Sequence, residues 1–204
     1  MFSWRPIHEE TATRLLEYEH RQDELIALLG AMSEAGLNVV PLTDKATETE
    51  QSQLEEIDPL TFMASFNRPT TFLSRVKNWE YLKQTWGLKA EVPTDIHGIP
   101  TITPQNAWFF PWKYRRGASD IPNLWKLARL AIEGDWEHGG DELFQACLDI
   151  HMVGVGKLTT GLFWLAPTKI LPLPATTVEY LKSKGLKPEI NGAIRRGQAI
   201  RRGQ

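Results

Sequence analysis

The chain has 204 residues, of which 42% are hydrophobic and 24% charged, and its formal net charge is −2. This composition excludes global disorder, and near-neutrality excludes a generally basic nucleic-acid coat. A single cysteine, Cys147, excludes an internal disulfide or a multi-cysteine zinc site, and no apolar run approaches the roughly 18 residues of a membrane span. Met1–Pro6 lacks a basic region followed by an apolar run, so no signal peptide is expected and a cytoplasmic location is.

From Thr11 to Met32, apolar residues recur at three- and four-residue spacing and predict a helix, with Gly36 as its stop. Leu37–Leu42 reads as a short strand or an extended entry, and polar, acidic Thr43–Glu56 as an exposed loop. Asp58 followed by Pro59 is a helix start: the aspartate suits the N-cap, and proline suits the first helical position. Thr61–Phe66 then forms a short helix, and Ser74–Trp86 a longer one ending near Gly87. Val92–Pro104, with four Pro or Gly breaks, is a connection that wraps over something. Ile121–Ile132, Asp141–Ile150 and Lys157–Leu165 complete the helices. The expected fold is mainly α: one domain over 1–190, open to division into lobes of about 1–90 and 107–190, then a basic low-complexity tail, 191–204. The tail ends in a repeat of Ala-Ile-Arg-Arg-Gly-Gln.

Charge is uneven along the chain. Residues 1–60 are net −9, residues 61–150 are neutral and residues 151–204 are net +7. The basic end suits an interaction surface; a solvated acidic face and basic tail would look the same.

Leu148–Leu162 holds the sharpest local pattern: a helix, then Met152-Val153-Gly154-Val155-Gly156-Lys157, then a second helix. It resembles a helix-hairpin-helix element. Glycines allow a left-handed turn, and exposed amides at the start of the second helix seat a phosphate. Gly154, Val155, Gly156, Lys157 and Thr159 are the candidate phosphate ligands; a helical hairpin that merely needs a tight turn is the alternative. The following stretch, Pro167–Leu181, resembles the segment after this hairpin in base-excision DNA glycosylases. Pro174 and Ala175 stand where those enzymes carry a catalytic aspartate, and the next acid is Glu179.

Trp108-Phe109-Phe110-Pro111-Trp112-Lys113-Tyr114-Arg115-Arg116 combines aromatic and basic residues, as single-strand stacking surfaces and extruded-base pockets do. Trp108, Trp112 and Tyr114 are candidates for base recognition, and Lys113, Arg115 and Arg116 for phosphates; core packing is the other reading of the large rings. Asn67 is a candidate base reader, and Arg68 suits either DNA or the last carbonyls of the preceding helix. His8, His20, His97, His138 and His151 show no metal-ligand spacing, so neither metal nor cofactor is expected.

Several phrases taken in order carry a wider resemblance. They are Phe2–His8, Leu54–Phe62, Ala64–Arg68, Glu91–Asp95, Gly98–Pro100, Ala107–Phe110 and Lys157–Leu165. Together they resemble the N-terminal region of McrB-like proteins, the AAA+ GTPase subunits of modification-dependent restriction systems. The resemblance implies a non-enzymatic module that recognises methylated or otherwise modified double-stranded DNA, 5-methylcytosine being the type. It also implies as partners an AAA+ motor domain and a nuclease subunit that cuts. A protein-interaction module of the same assembly and a degenerate glycosylase-like domain are the alternatives.

Overall fold

The computed structural model describes residues 2–186 apart from positions 104, 106 and 138. The basic tail 191–204 and His138 therefore lie outside the described residues. Helix α1, Arg5–Leu15, has Pro6 in its first turn and buries Ile7, His8, Thr11, Ala12 and Leu15 on one face. A 3-10 turn, Leu16–Tyr18, leads to α2, Gln22–Glu34. The expected single helix over 11–32 thus begins earlier and breaks. No apolar residue lies between Tyr18 and Leu25, so a continuous helix would have nothing there to bury.

The expected loop 43–56 instead contains an antiparallel hairpin, β1 Thr43–Lys45 and β2 Gln51–Gln53, with Asp44 opposite Ser52. It is anchored from inside, for Asp44 and Leu54 are buried although the strands are polar. Leu37–Leu42 before it runs without regular structure.

Asp58 caps α3, Pro59–Ala64, as expected: its Oδ1 accepts from the Leu60 and Thr61 amides at 2.8 and 3.2 Å. All six residues of α3 are buried. Helix α4, Phe72–Trp86, is capped by Thr71 and stops at left-handed Gly87. After the connection come α5, Asp120–Glu133, α6, Gly140–Leu148, α7, Val155–Leu165, and a peripheral α8, Ala175–Ser183.

The fold is mainly α, with eight α-helices and one two-stranded sheet among the described residues. It is organised around α7, which packs against α1, α3, α5 and α6. Leu158 to Leu165 are all buried, the pattern of a helix enclosed on every side. Gly161 makes the closest approach: a Cβ there would lie 2.7 Å from the Phe109 ring. One hydrophobic core runs from Trp4 to Leu173, so the segment 90–106 does not separate two cores. It straps the core instead, its carbonyls at His97 and Pro100 accepting from the indoles of Trp4 and Trp164 at 2.9 and 2.8 Å. No helix among the described residues is long and apolar enough to cross a membrane.

Candidate ligand pocket

Helices α6 and α7 pack together across the turn 149–154. The left-handed residue of that turn is Met152, at φ 69°, not a glycine. Gly154 caps α7 at φ −96°, without a side-chain bond. Gly156 is needed for room: a Cβ there would sit 3.1 Å from the Leu173 carbonyl.

Met152 is 59% exposed and faces the aromatic run. With Pro41, Gln105, Trp108, Phe110, Pro111 and Trp112 it lines a surface cavity of about 330 Å³. The rings support one another: Trp108 lies 5.0 Å from both Phe110 and Trp112, tilted to the first and edge-on to the second. The Trp108 indole also donates to the Pro41 carbonyl at 2.9 Å, and the Lys45 ammonium sits 5.3 Å over the outer Trp112 ring.

A buried polar chain fixes this loop. The Thr61 hydroxyl donates to the Asp58 carboxylate and accepts from the Phe109 amide at 2.9 Å. The next carbonyl, Trp108, accepts from the Lys157 ammonium at 2.5 Å. Burial pushes Asp58 up to about 6, against the hydrogen bonds from Thr61 and Leu60 and the nearby Lys157 charge. Burial likewise pushes Lys157 down to about 8, against the attraction of Asp58. Cys147 nearby is buried and pushed up to about 12, which keeps it a neutral thiol.

Several expected ligands face elsewhere. Lys157 turns inward, so it is not the free phosphate ligand its position suggests. Thr159 is fully buried, donating to the Val155 carbonyl at 2.8 Å and accepting from the Leu173 amide at 2.9 Å. Asn67 is also buried, donating to the Met63 carbonyl at 3.1 Å and accepting from Arg75 at 2.8 Å. It braces the helix end and is not placed to read a base. Arg68 bonds the Val39 carbonyl and lines a separate groove along 37–43, which shares Pro41 with the aromatic pocket. Its Nε is buried without a partner.

The basic run is zipped to the acidic hairpin. Arg116, with a 7% exposed side chain, bonds Asp44 at 2.5 Å and lies 3.7 Å from Glu56. Lys113 pairs with Glu55 at 2.7 Å, and Arg115 with Glu48 at 3.5 Å. Tyr114 is half-buried beneath the Arg115 guanidinium and outside the pocket lining. The acidic N-terminal segment is therefore not a separate face turned away from these cations; part of it neutralises them. Pro174 caps α8, Ala175 begins it, and Glu179 is exposed on it.

Of the expected residues, the fold brings Trp108, Trp112 and the hairpin turn together around one cavity. Met152, Pro41 and Gln105 complete it without a local signal of their own. Only the exposed apolar residue at a turn, Met152, could have drawn notice in the sequence.

These elements define a mainly α domain with an aromatic pocket at the rim of its central helix. Residues 4–192 match a domain of unknown function, DUF8425, and the chain belongs to that family. No curated protein and no solved structure matches the chain.

Proposed function

We propose that this domain binds double-stranded DNA carrying a modified base, of the methylated cytosine type, and receives that base in the aromatic pocket. The observation that carries the reading is the cavity itself: flat rings on one wall, and on the other a turn that runs directly into the amino end of α7. A base stacked on Trp108 or Trp112 would leave its backbone near the exposed Gly154, where helix-end amides favour an anion. Arg68, in the adjoining groove, extends the contact. The lining side chains (Pro, Trp, Phe, Met and Gln) are not acids or bases, which suits recognition over turnover. The resemblance to McrB-like proteins supplies the setting, with a motor and a nuclease acting on DNA that this domain marks.

Duplexes with and without one 5-methylcytosine, titrated into the protein, test the proposal. The methylated duplex should bind more tightly, and Trp112→Ala should weaken it by about tenfold, at the lower end of what one base–aromatic stack contributes. Equal affinities, or a Trp112→Ala variant with unchanged binding, would overturn it. The neutralised cations of 113–116 favour a second reading, a pocket for an apolar side chain of a protein partner. Binding to the isolated motor protein, with none to either duplex, is its signature.

A further inference from the structure

The pocket's two walls come from distant parts of the chain, and one side chain touches both. The Lys157 ammonium donates to the Trp108 carbonyl at 2.5 Å on the aromatic side, and to the Met152 carbonyl at 3.4 Å on the turn. Its nitrogen also lies 5.2 Å over the Phe109 ring. Among the described residues, no other side chain bonds both carbonyls.

We infer that Lys157 is a positioning residue: its ammonium holds the turn against the aromatic wall, and loss of its proton frees the turn. The long bond to Met152 depends most on the charge, because a charged donor strengthens a stretched contact that a neutral amine does not hold. The turn has a reason to move once freed. Met152 is the one non-glycine residue with positive φ among the described residues, a conformation that disfavours an L side chain.

The charge is itself poised, since burial brings the ammonium's titration to about 8. Asp58, at the start of α3, attracts it. Cys147 on α6 stays a neutral thiol, and His151 on the turn is exposed to solvent. The pocket's shape is then proton-dependent above neutrality. Only the ligand arm of the test rests on the base-binding reading.

The probe is the Met152 methyl group, one of four methionine signals in protein labelled with 13C at the methionine methyls, assigned with Met152→Leu. Between pH 6.5 and 9.5 the wild-type signal should shift in a single transition near pH 8. Lys157→Arg, which keeps its charge, should hold the low-pH position throughout, and Lys157→Leu, which adds no methionine, the high-pH position. Thermal unfolding of the same samples reports whether each variant is folded; if Lys157→Leu is not, Lys157→Arg carries the comparison. A Met152 signal that does not move, or that moves identically in Lys157→Arg, overturns the inference. In parallel, wild-type affinity for the methylated duplex should fall by about tenfold between pH 7 and 9, within the usual range of site coupling, and not in Lys157→Arg. If the methyl behaves as expected and no duplex binds, the base-binding reading fails and the positioning role stands. If duplex binding is pH-independent and the methyl is still, the positioning role fails and the reading stands.

Discussion

His8 lies fully buried on α1, between the rings of Trp4 and Trp79. Its Nδ1–H donates to the Trp164 carbonyl at 3.0 Å, while Nε2 has no partner. Burial pushes it down to about 3 from 6.5. Between those values the unfolded chain holds a proton that the folded chain does not, so His8 lowers stability progressively as pH falls below 6.5. Asp58 has the opposite sign over 3.8 to 6, because there the folded state holds the extra proton. The two slopes oppose each other in the wild type, which makes a variant the cleaner measurement. In urea unfolding, the stability of His8→Gln relative to wild type should rise by about 1.4 kcal/mol for each pH unit from 6.5 down to 4. A difference that stays constant with pH would show that His8 does not remain neutral in the fold. Residue by residue, chemistry legible in the sequence was chemistry with local partners. Asp58 capping α3 was such a case. That Asn67, Thr159 and Lys157 face inward was not, because their partners lie on distant segments or turn on which way a helix faces.

At the level of elements, the hairpin and the aromatic-basic run form one unit, and Asp44 is the pin. Its Oδ1 accepts from the Lys113 amide at 3.0 Å and its Oδ2 from Arg116. Asp44 is 1% exposed, so removing it strands a largely buried guanidinium. Asp44→Ala should therefore cost about 3 kcal/mol, at the low end for a broken buried pair because Arg116 keeps the Pro111 carbonyl. Glu48→Gln, at the exposed pair with Arg115, should cost well under about 1 kcal/mol. Denaturant unfolding of both variants decides this, and similar losses would refute the assigned hierarchy. A helix boundary marked by a single residue, such as Gly87, was readable because the stop is a local backbone requirement. The hairpin was not. Its strands are polar, and what buries Asp44 lies some seventy residues further along the chain.

For the whole molecule, the charge asymmetry of the sequence partly cancels on folding, since acidic 44–56 meets basic 113–116. Among the described residues, few cations remain beside the pocket: Lys45 over the Trp112 ring and Arg68 in the adjoining groove, with the amino end of α7 adding its dipole. DNA binding by this face should thus depend only modestly on salt: log affinity against log salt with a slope no steeper than about −3, the value for roughly three neutralised phosphates. Titration of one duplex between 50 and 200 mM salt measures it, and a slope beyond about −6 would point to a basic surface elsewhere. The mainly α class was legible because helical periodicity is a property of short windows. How the core is assembled was not, since α7 packs against α1, α3, α5 and α6, and those contacts join segments far apart in the chain.

The position of α7 has one more consequence. The turn that carries Met152 into the cavity wall leads straight into it, and the helix itself is packed against α1, α3, α5 and α6. The Met152 wall of the pocket is therefore tied to the centre of the molecule through the helix that follows it. With Lys157 charged, the receptor is stiff, and shape change on association falls to the other party. For a duplex, the cost of extruding a base falls on the DNA, and sequences whose stacking is weakest would be admitted most readily.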